Sequence, residues 1–280
     1  YSETKGIIDL FGGERDLENG IIRCVGSPDE RFNEDGLRIL RALRFASVLD
    51  FELHADCADS VRRLKGLLGK ISRERIYTET TKLLLGKGAR RILSTFPEVI
   101  SFIFPALTEE MICRAAALVE RCPRDAEMRY AVLFSELDAK EEERMISSMK
   151  PSRAEKNAVL RYSEYENYRN YLDGEYEVRR LISETDDGFV LSLTDMQLSR
   201  GVITDEEYAA VREMISEIIE KNLPRKLSDL AVDGKTLMSI GYAGADIGHE
   251  LTRLLDDVMR GRCENTAEEL SERARRDRTQ

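Results

Sequence analysis

The sequence has little of what would mark a membrane protein or a metal enzyme. No apolar run approaches the roughly 18 residues that cross a bilayer, so we predict no contact with a membrane. There are only two histidines, His54 and His249, and neither stands next to an aspartate. This scarcity excludes a histidine-rich metal phosphohydrolase, and we predict no metal site within these 280 residues.

Cysteine is also scarce and is arranged without a motif. Five cysteines are scattered along the chain and none forms a Cys-x-x-Cys pair. An odd, scattered set is typical of buried thiols in a reducing compartment, not of a disulfide framework or a zinc site. The opening residues carry no basic segment followed by an apolar one, so no signal peptide is predicted. We therefore expect a cytoplasmic location.

Three common active-site motifs are missing as well. Without Gly-x-Ser-x-Gly, the sequence offers no nucleophile elbow for a serine hydrolase. Without Gly-x-Gly-x-x-Gly or a P-loop, neither dinucleotide binding nor a P-loop nucleotide site is indicated.

The charge that is present is unevenly distributed. The chain carries a formal net charge of −10, yet residues 60–91 contain ten basic and only two acidic side chains. A local net charge of +8 on an acidic protein is typical of a surface that binds a polyanion, although a solvated helix face is the alternative. The candidate RNA-binding residues are Arg62, Arg63, Lys65, Lys70, Arg90 and Arg91.

The hydrophobic pattern predicts an all-α helical array with a short α/β segment at its N-terminus. Residues 1–30 mix short apolar runs with glycine turns, and Gly26-Ser27-Pro28 is predicted to break the chain. From residue 33 onward, leucines recur at helical spacing. We predict a helix that begins at Asn33 as its N-cap, with Glu34 and Asp35 in the first turn. Further helices are predicted at 56–68, 72–86, 109–121, 126–138, 140–149, 152–172, 175–184, 190–199, 204–221, 234–240, 245–260 and after Asn265.

The stretch RFNEDGLRILRALRF, residues 31–45, offers a plausible base-recognition site. Asp35 and Arg38 are three residues apart, so a helix would place them on one face, and Glu34 precedes Arg38 by four. A carboxylate acceptor beside a guanidinium donor matches the edge of cytosine or adenine, which present an amino group beside a ring nitrogen. Arg41 could reach a phosphate. The alternative is a set of ordinary helix-stabilising ion pairs.

The same stretch resembles the Glu-Asp-x-x-Arg nucleotide-selection motif of the bacterial-type (class II) tRNA nucleotidyltransferase and poly(A) polymerase family. The segment DLFGGERDL, containing Asp9, Gly13 and Asp16, resembles the family's spring element, which joins the catalytic head to the neck. The resemblance implies an α-helical neck, body and tail.

A third segment, SRERIYTE, resembles the family element that braces the neck helices, with Glu74, Arg75 and Glu79 at the matching positions. The three segments occur in the family's order and spacing. The run from Leu230 to Asn265 is similar to the family's tail, which contacts the tRNA elbow.

The resemblance also implies roles and boundaries. Asp35 and Arg38 would pair with the base of incoming CTP or ATP, and Glu34 would help hold Arg38 in position. With Arg41 these are the candidate nucleotide-binding residues. The partner would be tRNA, with no protein partner implied. The implied activity is addition or repair of the 3′ CCA end. The implied domains are a remnant of the nucleotidyltransferase head (1–30), a neck (31–100), a helical body (101–222) and a tail (223–280).

One departure from the family pattern concerns catalysis. The resemblance places the Mg²⁺-binding carboxylates in a head that would precede Tyr1, so no catalytic residue is assigned here and the 280-residue chain alone is expected to be inactive. Incorporation of CTP by this polypeptide would refute that expectation. A poly(A) polymerase, a CC- or A-adding relative, a headless RNA-binding protein and an unrelated helical scaffold remain alternatives.

Overall fold

The computed structural model describes residues 9–278. Within them the chain forms seventeen α-helices, three short 3₁₀ helices and two strands of two residues each. The predicted all-α class, with a short N-terminal α/β segment, is confirmed. The chain divides into two compact units, one ending at Glu166 and the other beginning at Asn167.

The first unit contains eleven of the described helices and both strands. In chain order these are α1 (Gly13–Glu18), β1 (Ile21–Ile22), α2 (Pro28–Glu34), α3 (Leu37–Leu49), β2 (Glu52–Leu53), α4 (Ala55–Leu64), a 3₁₀ helix (Lys65–Lys70), α5 (Arg73–Leu84), α6 (Ala89–Thr95), α7 (Pro97–Ile103), α8 (Glu109–Arg121), α9 (Ala126–Phe134), α10 (Ala139–Ser148) and α11 (Arg153–Tyr165).

The second unit contains the remaining six described helices. They are preceded by a 3₁₀ helix (Asn170–Asp173) and are α12 (Glu175–Glu184), α13 (Asp187–Arg200), α14 (Asp205–Glu220), then a 3₁₀ helix (Leu227–Asp229), α15 (Gly234–Ile240), α16 (Ala245–Met259) and α17 (Ala267–Asp277). None of the helices that the structure describes is long and apolar enough to cross a membrane.

The N-terminal α/β segment is anchored by a parallel pairing of β1 with β2. Ile21 pairs with Glu52 and Ile22 with Leu53. The backbone N–H of Glu52 donates to the carbonyl of Gly20 at 2.8 Å, which continues the ladder beyond the strands. The first apolar run of this segment, residues 7–11, lies partly outside the described residues.

The core of the first unit forms where α3 crosses α5. Leu40 and Leu43 of α3 are fully buried, as is Leu83 of α5. The Ser47 hydroxyl, also fully buried, donates to the Leu83 carbonyl at 2.6 Å, so the polar group is satisfied inside the apolar contact. This crossing packs α3 firmly against α5.

A cluster of aromatic rings extends this core towards α9. Tyr77 stacks on Tyr130 with ring centroids 5.5 Å apart, and Phe104 meets Phe134 edge-on at 5.1 Å. The Tyr130 hydroxyl is buried but lies 3.2 Å from the Thr81 hydroxyl, which gives it a hydrogen-bond partner.

The second unit has its own core around α16. Leu237, Leu254 and Leu270, from three different helices, are fully buried together. The buried carboxylate of Asp257 accepts hydrogen bonds from Arg253 and Arg273, each at 2.9 Å. Two guanidinium partners offset the cost of burying this charge.

Some of the predicted helix boundaries were wrong. The helix predicted over 152–172 ends at Tyr165, and a 3₁₀ turn follows. Pro28, predicted to break the chain after Gly26-Ser27, and Pro97 are each the first residue of a helix, where the missing N–H costs nothing.

Candidate nucleotide and RNA site

The junction between α2 and α3 differs from the sequence prediction. Asn33 was predicted as an N-cap, but it lies inside α2, and its side-chain amide donates to the Asp29 carbonyl at 2.8 Å. Asp35 is extended (φ −149°, ψ 105°) and therefore lies between the two helices, not in a first turn. The prediction failed because Pro28 starts a helix earlier in the chain.

Gly36 lies at the α2–α3 junction and not inside a helix. It is the N-cap of α3, where a glycine carries little helical penalty. A Cβ at this position would lie 2.9 Å from the Cβ of Leu67 and 3.1 Å from its carbonyl oxygen. Gly36 therefore permits the junction to approach the 3₁₀ helix closely.

Asp35 is held by one backbone and one side-chain donor. Its Oδ1 accepts from the N–H of Leu37 at 3.0 Å, and its Oδ2 accepts from Arg75 Nη2 at 3.3 Å. The side chain is one-third exposed, so each oxygen can still accept a hydrogen bond from solvent or a ligand.

Arg38 is held by different partners. Its Nη1 donates to Glu34 Oε2 at 2.5 Å and to the Arg31 carbonyl at 3.2 Å. Hydrogen bonds from Arg38 and Arg31 hold the pKa of Glu34 below its ordinary value. Within residues 9–278, the Nε and Nη2 of Arg38 make no hydrogen bond, so donors remain for a ligand.

Two further arginines follow on α3. Arg41 is exposed and has no ion-pair partner among the described residues. Arg44 is occupied, because its Nε lies 3.0 Å from Glu79 Oε2 and its guanidinium stacks over the Phe45 ring at 4.0 Å. Arg41 is thus the cation on this face that a phosphate could meet.

Asp9 lies four residues before the start of α1 and binds the backbone there. Asp9 accepts from the backbone N–H groups of Phe11 (3.1 Å) and Glu14 (3.0 Å). Backbone hydrogen bonds from Glu14 and Gly13 hold the pKa of Asp9 below its ordinary value. A Cβ on Gly13 would meet Asp9 Oδ1 at 3.8 Å, an ordinary contact distance.

Asp16 links α1 to the segment after β1. Its carboxylate receives two hydrogen bonds from Arg23, at 2.8 and 3.1 Å. This bidentate pair lowers the pKa of Asp16, mainly through the hydrogen bond itself. The spring role of Asp9, Gly13 and Asp16 stays a prediction.

The third motif connects α5 to the site. Arg75 reaches Asp35, and Glu79 reaches Arg44 of α3. Glu74 pairs instead with Lys150 at 2.9 Å, which lies just after α10. Arg75 therefore contacts the predicted nucleotide site directly, whereas Glu79 braces α3 further along the helix.

Most of the predicted RNA-binding arginines are already ion-paired. Arg62 lies 3.3 Å from Glu98, Arg63 lies 2.6 Å from Asp29, and both are exposed. The count of local charge missed these partners because the acids lie outside residues 60–91.

The same holds for the two arginines of α6. Arg90 pairs with Glu120 at 2.7 Å and Arg91 with Asp50 at 2.8 Å. Lys65 and Lys70 have no ion-pair partner in the part of the chain that the structure describes. These two lysines are therefore the uncompensated charges of the predicted RNA surface.

Sequence reasoning missed Arg31 and Asp29. Arg31 donates to the Val25 carbonyl at 3.0 Å and pairs with Glu34 at 2.9 Å, so it ties α2 to the preceding loop. The spacing of Arg31 and Glu34, three residues apart, could have indicated this pair. Asp29 accepts from Ser60 and Arg63, which lie too far along the chain for any spacing rule.

The described residues do not fit a metal ion. Among residues 9–278, no group of three or more His, Cys, Asp or Glu side chains is arranged to hold one. The Mg²⁺ implied by the resemblance has no ligand set here.

Comparison with known proteins identifies the class of molecule. A family model described as "Probable RNA and SrmB- binding site of polymerase A" matches residues 50–111. A crystal structure of the Bacillus stearothermophilus CCA-adding enzyme in complex with CTP has the same fold, with a TM-score of 0.80 and 24% identity over 99% of this chain and 71% of that one. The chain therefore shares its fold with most of that structure.

Curated relatives identify the family. The Ligilactobacillus salivarius CCA-adding enzyme is 44% identical over 42% of this chain and 30% of its own length, and that of Streptococcus gordonii is 31% identical over 95% and 66%. The chain belongs to the family of bacterial CCA-adding enzymes. It spans about two thirds of the length of the relatives that match it from end to end.

Proposed function

We propose that the chain supplies base selection and tRNA docking in a tRNA nucleotidyltransferase. This enzyme would add or repair the 3′ CCA end with CTP and ATP, without a nucleic-acid template. The names of the relatives and the RNA-binding description of the matched family support the proposal. The observation that carries it is the Asp35 and Arg38 pair, whose side chains are held by separate partners at the α2–α3 junction.

The chemistry of this pair fits two of the four bases. Cytosine and adenine each present an exocyclic amino donor beside a ring-nitrogen acceptor. The Asp35 carboxylate can accept from the amino group while Arg38 donates to the ring nitrogen. Guanine and uracil present a carbonyl and a ring N–H at these positions, so both contacts would be lost. Protein side chains would thus serve in place of a template base.

The anchoring of the pair matters as much as its polarity. Glu34 and the Arg31 carbonyl hold Arg38 before a nucleotide arrives, and Leu37 and Arg75 hold Asp35. Pre-organised side chains lose less conformational entropy on binding, so more of the interaction energy is retained as selectivity. Arg41, exposed one turn further along α3, would meet the phosphates.

The rest of the reaction depends on groups outside the described residues. We propose that Mg²⁺ on the triphosphate supports nucleotidyl transfer in the intact enzyme, held by carboxylates of its catalytic head. Within this proposal tRNA docks on the neck lysines and the tail, and the enzyme is cytoplasmic.

The test uses Asp35→Ala and Arg38→Ala in the protein at the full length that its gene encodes. Incorporation of each of the four nucleoside triphosphates is measured with tRNA that lacks its CCA end. We expect discrimination against GTP and UTP to fall by about tenfold or more for each lost contact. Arg114→Ala is the matched control, because Arg114 pairs with Glu136 away from the junction. Unchanged discrimination in both site variants would overturn the proposal.

A second candidate is poly(A) addition. The family description matched by residues 50–111 names polymerase A, which favours this relative of the CCA reaction. The same assay separates the two, because a poly(A) polymerase would add repeated AMP and would not require CTP. Salt-sensitive tRNA binding with no incorporation by the full-length protein would instead favour a non-catalytic RNA-binding protein.

A further inference from the structure

Two cysteines meet where the segment after β1 passes the start of α4. Cys24 lies two residues beyond β1, and Cys57 is the third residue of α4. The backbone N–H of Cys24 donates to Cys57 Sγ at 3.2 Å, and the interaction between the two side chains shifts the pKa of each thiol. Neither residue has a part in base selection or tRNA docking.

The surroundings of Cys57 are unlike those of an inert core thiol. Burial alone would raise its pKa, yet the hydrogen bond from the Cys24 thiol lowers the pKa of Cys57 to about 7. The Cys24 N–H and the charge of Arg23 act in the same direction, while Asp56 opposes them. The first turn of α4 adds the positive end of a helix dipole.

Cys24 has the opposite character. The hydrogen bond to Cys57, followed by burial, raises the pKa of Cys24, so it keeps its proton at neutral pH. It is half-buried, whereas Cys57 is only 1% exposed. One ionisable thiol beside one protonated thiol is the arrangement of an attacking and a resolving cysteine.

We propose that Cys24 and Cys57 are an oxidation-sensitive pair that closes to a disulfide when the protein meets a peroxide. The Cys57 thiolate attacks one peroxide oxygen, so an S–O bond forms, the O–O bond breaks and the leaving hydroxide takes a proton to become water. The Cys24 sulfur then attacks the Cys57 sulfenic sulfur. The S–S bond forms as the S–O bond breaks, and the Cys24 proton leaves with the hydroxide as a second water. Two thiols are oxidised and one peroxide is reduced.

The disulfide would link residues 33 positions apart. The loop that it closes contains α2 and all of the α2–α3 junction, including Asp35 and Arg38. It would also fasten the segment that carries Arg23, the partner of Asp16, to α4. Oxidation would therefore restrain the connection between the N-terminal segment and the nucleotide site.

The test treats the whole chain with hydrogen peroxide at pH 7, blocks remaining thiols by alkylation and maps the peptides by mass spectrometry. We expect a Cys24–Cys57 cross-linked peptide that dithiothreitol reverses. Cys113 is the internal control, because it is exposed and free. We expect the Cys24–Cys57 cross-link to form at a peroxide dose that leaves most of Cys113 available for alkylation. Oxidation of Cys113 while Cys24 and Cys57 remain alkylated would overturn the proposal.

Serine variants separate the two roles. In Cys24→Ser, Cys57 should stop at the sulfenic acid, which dimedone traps as an adduct. In Cys57→Ser, Cys24 should stay reduced at the same peroxide dose, and Cys113→Ser should leave the cross-link unchanged. If Cys24 oxidised at the wild-type rate in Cys57→Ser, the assignment of the attacking thiol would be overturned. Mapping of the unmutated chain decides the proposal even if a variant fails to fold.

Discussion

Arg38 illustrates why the type of cation matters at the residue scale. Its Nη1 donates to Glu34 and to the Arg31 carbonyl, while the N–H groups on Nε and Nη2 remain for a base. A lysine ammonium carries its three N–H donors on a single nitrogen, so it cannot hold Glu34 with one nitrogen and present donors to a base from another in a fixed plane. The proposed site therefore depends on the forked shape of arginine and not only on its charge.

This argument predicts the effect of Arg38→Lys. Affinity for both CTP and ATP should fall by about tenfold or more, because the base contact is worth about 1–3 kcal/mol. Nucleotide binding by the full-length protein, measured by calorimetry, checks the prediction. Arg114→Lys makes the same substitution at a remote ion pair, that of Arg114 with Glu136, and should leave both affinities unaltered. Equal affinities for Arg38→Lys and the parent protein would contradict it.

Glu142 on α10 is a buried carboxyl with a measurable pH signature. Burial is the largest cause that raises its pKa to about 7; a hydrogen bond from Ser163 opposes this, and the charge of Glu166 adds to it. The pKa of Glu142 is therefore higher in the folded protein than in the unfolded chain. Its contribution to the free energy of unfolding is complete below about pH 4.3 and is lost as the pH rises through about 7.

Glu142→Gln should therefore stabilise the protein only at higher pH. The gain in free energy of unfolding over the parent should be near zero at pH 4 and on the order of 3 kcal/mol at pH 8. Urea unfolding of the first unit at several pH values measures it. Glu143→Gln makes the same change at an exposed carboxylate of the same helix, which pairs with Lys156 at 3.1 Å, and is the matched control. A pH-independent difference for Glu142→Gln would rule the account out.

At the scale of elements, the crossing of α3 and α5 depends on one close approach. Gly86 is buried just after α5, and a Cβ there would lie 2.5 Å from the carbonyl carbon of Ser47 and 2.7 Å from its oxygen. Backbone atoms cannot rotate away as a side chain can, so the helices themselves would have to separate.

Gly86→Ala should consequently lower the free energy of unfolding by about 1–3 kcal/mol or more, as overpacking of a core does. Chemical denaturation of the purified variant tests this. Gly66→Ala is the matched control, because a Cβ at Gly66 meets nothing within 4 Å. Similar stabilities of the two variants would show that the approach of Gly86 to Ser47 does not limit the packing.

The elements also show where sequence reasoning succeeds and where it fails. Helix type was predictable because apolar periodicity is local, and α8 was predicted at the bounds observed, Glu109–Arg121. The α2–α3 junction was not, because it depends on Pro28 acting as a helix start and on the contact of Gly36 with Leu67, 31 positions away. Steric demands between distant segments leave no periodic signal.

Within the site, contacts between residues close in sequence were predictable, whereas contacts between distant segments were not. The Glu34–Arg38 ion pair follows from a spacing of four residues. The Asp35–Arg75 hydrogen bond joins residues 40 apart, and only the resemblance to a known family indicated that the two segments belong together. The Asp35–Arg75 contact itself is seen only in the three-dimensional structure.

At the scale of the whole molecule, an acidic protein is proposed to bind a polyanion. The net charge of −10 opposes tRNA, and four of the six predicted RNA-binding residues are already paired with acids. Binding must then rely on the few uncompensated cations, of which Lys65 and Lys70 are the clearest in the first unit.

Lys65→Ala and Lys70→Ala should each weaken tRNA binding and reduce the slope of log affinity against log salt by about 1. Filter binding over a range of salt concentrations measures both. Lys221→Ala removes an exposed lysine that pairs with Glu217 in the second unit, so its slope should not change. Unaltered slopes for the two neck lysines would place tRNA elsewhere on the protein.

The most direct test of the whole account is the product formed by the full-length protein on tRNA lacking its 3′ end. Sequencing of that end after incubation with all four nucleoside triphosphates gives the order of addition. The account predicts C, C and A followed by a stop, with this order lost in Asp35→Ala. No incorporation, repeated addition of A, or an unchanged product from Asp35→Ala would contradict it.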